Sequence, residues 1–308
     1  RSMSKCILDK SLRSFWSSRY YLRMTPSNGS SGVYRALLLD LDGTLIGPSG
    51  SPHPETTACL HELVERGVHV MIATGRSEGG TRGVMRELGF TNPAIVFNGA
   101  GLYCPVKDKL LEERTLADRT IDLTFEFSKI HDLPMVVMRA GEKFAREPKT
   151  ELERSALIDL EDLHIVPEAE LPRERLIRIT MYSDVFATSA DLERALVAHV
   201  NRPAYFSHFP LNALYEHAGS PYQVVDVQPP CRGKAEAVRY LYETHGILPE
   251  EIVAIGDATN DIPMFEAVGL AVAMANAMPE AAKYADRVIG DADSATIAEL
   301  VGELRWAP

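Results

Sequence analysis

The sequence predicts an α/β protein: a doubly wound, Rossmann-like parallel-sheet core interrupted by an inserted α+β domain. Three observations predict it. Short apolar runs alternate with helical segments over 33–101, and the alternation resumes from about 224. Each apolar run ends in small or polar residues, as strand tips at a ligand-binding sheet edge do. Between 102 and 223 the alternation weakens, and strand candidates follow one another without helices, the mark of an antiparallel sheet. Pro229-Pro230 marks a break. The expected organisation is therefore an extension at 1–32, a core domain at 33–101 and 224–308, and an inserted domain at 102–223.

The core begins with Arg35-Ala-Leu-Leu-Leu-Asp-Leu-Asp-Gly-Thr44. Ala36 to Leu39 reads as a strand buried on both faces, and Gly43 permits the sharp departure at its tip. Pro52 and Pro54 sit where a helix begins, and Glu55 to Arg66 is that helix, closed by Gly67. Val68 to Ala73 is the next strand, with Thr74-Gly75-Arg76-Ser77 at its tip. Ser77 caps a helix running to Leu88, and Gly89 ends it. Ala94 to Phe97 is a third strand, ending in Asn98-Gly99-Ala100-Gly101.

In the inserted region, helices are expected at 117–129, 151–159 and 190–199, and strands at 176–182, 204–209, 213–217 and 222–227. The core then returns with a helix from Lys234 to His245 and a strand from Glu251 to Ile255, whose tip is Gly256-Asp-Ala-Thr-Asn-Asp261. Further short helices and strands follow, and a helix over 292–304 closes the chain.

Composition excludes several function classes. Hydrophobic residues at 45% and charged residues at 24% suit an ordinary globular protein of 308 residues, large enough for two domains. No stretch reaches the ~18 apolar residues that a membrane helix needs. The net charge is −11, but residues 1–32 carry +5, so the body is −16. An acidic body argues against a nucleic-acid partner. The four cysteines are scattered and suggest neither a disulfide framework nor a zinc site, so reduced thiols in the cytoplasm are expected. The Ser- and Arg-rich segment 1–32 reads either as a flexible extension or as an organellar transit segment, for a mitochondrion or plastid.

The chemistry lies at the tips. Residues i and i+2 of a strand point the same way, about 7 Å apart at ~3.3 Å per residue, so Asp40 and Asp42 face one point beyond the first strand. Two carboxylates there repel unless a cation sits with them, and oxygen ligands suit magnesium. Asp257 and Asp261 bring two more carboxylates. Thr74 offers a hydroxyl, Lys234 a positive charge and Asn260 an amide. Together these supply what phosphoryl transfer requires: a carboxylate nucleophile (Asp40), an acid and base (Asp42), metal ligands and phosphate contacts. Taken singly, each has an ordinary reading as well: an Asp-Gly turn, a Thr-Gly cap, a solvated lysine, an Asp or Asn helix cap. Their joint fall at termini that a parallel sheet gathers on one edge is the signal.

In order, the DLDGT of Asp40–Thr44, the strand-end Thr74, Lys234 and the GDATND of Gly256–Asp261 resemble the four motifs of the haloacid dehalogenase-like (HAD) hydrolase superfamily. The IATGR segment, Asn-Gly-Ala at 98–100, NDIPM at 260–264 and Val272–Asp286 bring it closest to Cof-type phosphatases, whose C2-type cap is inserted between the second and third motifs. The resemblance covers nearly everything from Val33 onward. It implies that Asp40 is nucleophile and magnesium ligand, and that Asp42 is acid/base with its backbone carbonyl also on the metal. Asp257 is then the third protein ligand, and Asp261 supports the metal directly or through water. Leu41 (by its backbone N–H), Thr74, Gly75, Lys234 and Asn260 are implied to contact phosphate. Ala258-Thr259 depart from the residues many relatives carry there.

The implied activity is magnesium-dependent hydrolysis of a small phosphorylated metabolite through an aspartyl-phosphate. Sugar phosphates, pyridoxal phosphate and flavin mononucleotide are all admissible substrates. A phosphotransferase resembling phosphomannomutases is the alternative, and a non-catalytic binding protein on the same fold is a remote one. Arg139, Lys143, Arg146 and Arg178 of the cap can each read a second anionic group of the substrate or stand as surface charges.

Overall fold

The computed structural model describes residues 32–157, 160, 162–214 and 217–308. The extension expected at 1–32 lies outside the described residues but for Gly32, as do the end of the 151–159 helix at 158–159 and residues 215 and 216 of the 213–217 strand. The described chain forms two compact units, 32–112 with 232–308, and 113–231.

The first unit opens with β1 (Val33–Tyr34) and β2 (Ala36–Leu39). Helix α1 (Pro54–Glu65), strand β3 (His69–Ile72) and helix α2 (Glu78–Leu88) follow, then β4 (Ala94–Val96), β5 (Gly101–Cys104) and β6 (Lys109–Glu113). Pro54 stands in the first turn of α1, where its missing N–H is no loss. The Ser77 hydroxyl accepts the Gly80 N–H at the start of α2, and Gly89 ends that helix in the left-handed conformation.

The second unit holds α3 (Asp118–His131), β7 (Met135–Arg139), β8 (Glu142–Ala145), α4 (Glu151–Leu157), β9 (Leu163–Ile165), β10 (Arg178–Ser183), α5 (Ser189–Val200), β11 (Tyr205–Pro210) and β12 (Gln223–Gln228). Its six strands form one sheet in the order β11-β12-β10-β7-β8-β9, antiparallel except for the parallel pair β8–β9. Ile179, Met181, Val137, Val225 and Val227 share a core with Ile121, Phe125, Leu192 and Leu196 of α3 and α5. Arg146 does not stand in solvent. Its guanidinium forks onto Glu153, 2.8 and 3.0 Å away, and the pair is buried. Arg139 pairs with Glu142, and Arg178 lies 3.7 Å from Asp226.

The chain then returns to the first unit through α6 (Glu236–His245), β13 (Ile252–Gly256), α7 (Ile262–Phe265), β14 (Leu270–Ala273), α8 (Pro279–Ala282), β15 (Arg287–Val288), α9 (Thr296–Glu303) and β16 (Arg305–Trp306). Five parallel strands lie in the order β15-β14-β13-β2-β3. The chain moves outward from β2 to β3 on one side and, after the second unit, from β13 to β15 on the other. The tip of β2 is thus the switch point at which doubly wound sheets bind ligands. Both faces of β2 are buried. Ala36 and Leu38 pack with Val238, Leu241, Met264 and Phe265, and Leu37 and Leu39 are equally inaccessible. Each leucine so buried contributes roughly 2 kcal/mol.

Three expectations shift. The strand at 223–228, given to the core from residue 224 onward, pairs with β10 and β11, and the unit boundary falls at Cys231 and Arg232, directly after the two prolines. Residues 102–112 stay with the first unit, because β4 turns back into the antiparallel β5. The strand expected from 213 begins instead with a 3-10 turn over Leu211–Ala213.

Candidate active site

Sheet register brings the site together. Leu39 is level with Ile72 of β3 and Ile255 of β13, so the residues that follow each, Asp40, Ala73-Thr74 and Gly256-Asp257, leave the sheet side by side. The Asp40 N–H still donates to the Ile255 carbonyl at 3.0 Å, so the carboxylate starts from a fixed backbone. Lys234 arrives from a 3-10 turn, Gly233–Ala235, ahead of α6. Its ammonium lies 2.6 Å from Asp40 Oδ1 and 2.6 Å from Asp261 Oδ1. The lysine is fully buried, as is Asp261, and Asp40 is 4% exposed.

Asp261 uses both oxygens. Oδ1 takes Lys234, while Oδ2 accepts the backbone N–H groups of Asp257 and Ala258, each at 2.9 Å. This closes the turn after β13 and aims Asp257. The Thr44 hydroxyl donates to Asp257 Oδ1 at 2.9 Å, and the Asn276 amide donates to the Gly43 carbonyl at 2.9 Å and lies 3.4 Å from Asp257 Oδ2. Gly43 has φ +81°, and a Cβ there would lie 2.3 Å from Asp257 Oδ2. Only glycine lets the β2 loop pass this close to the carboxylate.

Asp42 is held differently. Arg76 forks onto it, Nε to Oδ2 at 2.9 Å and Nη2 to Oδ1 at 2.5 Å. Both side chains remain partly exposed. Arg76 Nη1 donates to the Gly80 carbonyl, and the Arg76 N–H donates to the Thr74 hydroxyl at 3.1 Å. On the other side of the site, Asn260 Nδ2 donates to Asn98 Oδ1 at 3.0 Å, and Gly75 packs against both amides. Leu41 is buried, and its carbonyl accepts the N–H groups of Thr44 and Ile46.

The electrostatics follow from crowding. Burial raises the Asp40 carboxyl well above the usual carboxylate range; Lys234 opposes this, while Asp261, Asp257 and Asp42 add to it. Burial, reinforced by Asp261, pushes Asp257 up to about 7. Burial works against the Lys234 ammonium, but Asp261 and Asp40 outweigh it and hold the group above its ordinary value.

Carboxylate oxygens of Asp40, Asp257 and Asp261 lie within 4.8 Å of one another. One lysine faces these three acids, so the site carries excess negative charge out of water, a costly arrangement that a cation relieves. The all-oxygen donor set fits a hard divalent ion. The Asp42 carboxylate belongs to Arg76 and not to this cluster; the ligand expected of Asp42 is its backbone carbonyl.

Every residue anticipated from the motifs therefore stands at one sheet edge. Four neighbours were not given roles from sequence: Thr44, Arg76, Asn98 and Asn276. Thr44 and Arg76 were within reach, each two positions beyond an anticipated residue, Asp42 in DLDGT and Thr74 in IATGR. Asn98 and Asn276 lie in segments that carry the resemblance, 98–100 and 272–286, but their roles were not legible, because their partners are 162 and 233 positions away.

The chain is similar to known proteins over most of its length. A family model described as haloacid dehalogenase-like hydrolase matches residues 37–301. The HMP-PP phosphatase of Serratia proteamaculans is 30% identical over 251 residues, covering 80% of this chain and 86% of the relative. The pyridoxal phosphate phosphatase YbhA of Escherichia coli is 27% identical over 282 residues, covering 87% and 97%. A solved Thermotoga maritima structure shares the fold with a TM-score of 0.70, at 22% identity, over 88% of this chain and 98% of that one. The structure of a HAD subclass IIB sugar phosphatase does so with a TM-score of 0.73, at 19% identity, over 87% and 98%. With its motifs ordered along the sheet edge and a family model spanning both units, the chain belongs to the haloacid dehalogenase-like hydrolase family.

Proposed function

We propose that this hydrolase is a magnesium-dependent phosphatase of small phosphorylated metabolites, working through an aspartyl-phosphate on Asp40. The observation that carries the reading is Lys234, buried and bonded at once to Asp261 and to Asp40, which clusters with Asp257 and stands two residues before Asp42. The names of the relatives, pyridoxal phosphate phosphatase and HMP-PP phosphatase, support the substrate class.

Asp40, Asp257 and the Asp42 carbonyl are the groups to hold magnesium, which would screen the repulsion between the Asp40 carboxylate and an incoming phosphate. Asp261, with both oxygens engaged, acts as the strut behind them. Lys234 grips Asp40 Oδ1, which leaves Oδ2 to attack phosphorus. The bond from phosphorus to the leaving oxygen breaks as the new bond forms, and Asp42 delivers a proton to the departing alcohol. Asp42 then takes a proton from water, the water oxygen attacks phosphorus, and the bond to Asp40 breaks to free inorganic phosphate. The Thr74 hydroxyl, the Leu41 and Gly75 N–H groups and the Asn260 amide supply donors for the phosphate oxygens. Uncatalysed hydrolysis of phosphate monoesters is among the slowest reactions known, so up to ~10²¹-fold acceleration must come from such placement.

The test is phosphate release from a panel of phosphometabolites, with and without magnesium. Release is expected only with the metal, and Asp40→Asn is expected to abolish it. Turnover that survives Asp40→Asn would overturn the reading.

A further inference from the structure

A strained turn at the tip of β4 touches the Thr74 loop, the Lys234 turn and Asn260. Phe97 has φ +51°, Asn98 has φ +48° and ψ +37°, and Gly99 has φ +101°. Two consecutive non-glycine residues in the left-handed region are uncommon, and for a bulky aromatic the conformation is an outlier. All three residues are buried. A hairpin between β4 and β5 does not require this; many turns close such a pair. Strain of this kind persists only where the surroundings impose it, and it gathers at functional sites.

The contacts show what the turn holds. The Phe97 N–H donates to the Arg76 carbonyl at 2.8 Å, and the Asn98 N–H donates to the Thr74 carbonyl at 3.0 Å. The turn thereby clamps the Thr74-Gly75-Arg76 loop from both ends. A Cβ on Gly99 would lie 2.3 Å from the Gly233 carbonyl oxygen, so this glycine sits directly against the residue that precedes Lys234. The Asn98 side chain reaches the third element, accepting Asn260 Nδ2 at 3.0 Å. An amide nitrogen has two hydrogens. With one given to Asn98, the amide is fixed with its nitrogen end toward Asn98 and its second N–H available to a ligand. A flipped Asn260 would set its oxygen against Asn98 Oδ1, two acceptors face to face.

We propose that Asn98 is a positioning residue of the phosphate site: from its left-handed seat it fixes the donor end of the Asn260 amide, while its own turn ties the Thr74 loop to the Lys234 turn. The inference rests on the phosphatase reading and on Asn260 as a phosphate contact. It explains why the strain is kept. The left-handed backbone is what brings a side-chain acceptor, a backbone donor and a bare Cα to three phosphate-binding elements within three consecutive residues.

Asn98→Gly accommodates the left-handed backbone and removes the side-chain amide, with it the acceptor for Asn260. Together with Asn260→Ala and the double variant it forms a cycle. The readouts are kcat and KM on an accepted phosphomonoester, and the rise in melting temperature produced by inorganic phosphate. Asn98→Gly is expected to melt within a few degrees of the parent, to lose about tenfold in kcat/KM, mainly through KM, and to need correspondingly more phosphate for the same thermal shift. The double variant is expected to bind phosphate no more weakly than Asn260→Ala alone. A merely structural role would lower the melting temperature but leave KM and the phosphate response of the folded enzyme unmoved. Unchanged KM and phosphate response in Asn98→Gly, or losses that multiply in the double variant, would overturn the inference. If Asn98→Gly fails to fold, Asn98→Ser, whose hydroxyl is too short to replace the amide, serves with the same expectations. A parent that neither hydrolyses a phosphomonoester nor responds to phosphate overturns this inference and the proposed function together, whereas an active parent indifferent to Asn98 overturns this inference alone.

Discussion

Lys234 and Asp261 are joined by a 2.6 Å ion pair with no solvent access to either side chain. The lysine also neutralises Asp40, at the same distance. Removing one partner of a buried pair leaves the other charge stranded. Lys234→Met is therefore expected to destabilise the first unit by about 3 kcal/mol, since two acids lose their counter-charge. It is also expected to lower kcat by at least about a hundredfold, as loss of one charge-stabilising donor typically does. Urea melts and steady-state kinetics check both. Wild-type stability in the variant would show that Asp40 and Asp261 do not depend on the lysine.

The Arg76–Asp42 fork makes a different prediction. Arg76 touches both oxygens of Asp42 and is anchored by the Gly80 carbonyl. If Asp42 is the proton donor to the leaving group, Arg76→Ala loosens the acid without touching the nucleophile. The loss is then expected to depend on the substrate. Alkyl phosphates, whose leaving groups need a proton, should lose about a hundredfold, within the range that general acid catalysis supplies. Aryl phosphates with acidic leaving groups should lose only a few-fold. A kcat/KM series across leaving-group acidity reads this directly, and equal losses on both classes would remove Asp42 orientation as the role of Arg76.

Gly43 tests how close the β2 loop must come to Asp257. An alanine there faces a positive φ and a carboxylate oxygen 2.3 Å from its Cβ. Gly43→Ala is expected to destabilise by about 2 kcal/mol and to push Asp257 away. Weaker magnesium binding should accompany the lower melting temperature, measured as the metal concentration that half-restores activity. A variant that melts lower but keeps its metal response would place the strain elsewhere.

How much of this was legible in the sequence depends on the range of the interactions. The tips of β2, β3 and β13 were legible because each joins a buried apolar run to a polar cluster within a few residues, and parallel pairing then levels Asp40, Thr74 and Asp257. The Ser77 cap and Gly89 stop of α2 are local signals and read correctly. Strands β7, β8 and β9 went unread. Glu142 and Lys143 break the apolar pattern of β8 and His164 that of β9, and β9 finds its partner in β8 about 20 positions back, as Lys143 does with Leu163. Strand β12 was legible at 222–227, but the boundary drawn at 223/224 cut through it. Its place beside β10 rests on five cross-strand pairs, Thr180 with Asp226 among them, where the hydroxyl donates to the carboxylate at 2.5 Å.

The second unit supplies a prediction that involves no catalysis. Arg146 forks onto both oxygens of Glu153, and the Lys149 N–H also donates to Glu153 Oε2 at 2.7 Å. Burial raises the Glu153 carboxyl, but the Arg146 and Lys149 hydrogen bonds outweigh it and hold the group below the usual glutamate range. A carboxylate whose folded value is depressed stabilises the fold above its unfolded value of about 4.3, and that stabilisation is lost as pH falls through the folded value. Glu153→Gln is thus expected to weaken the second unit at pH 7, by about 3 kcal/mol if the stranded Arg146 finds no other partner. The gap between parent and variant should close as pH falls below about 4, because the parent then loses the same charge. Denaturation monitored at pH 7 and pH 3.5 reads the difference. A gap that stays constant would mean that Arg146 and Glu153 stabilise the unit by packing and not by charge.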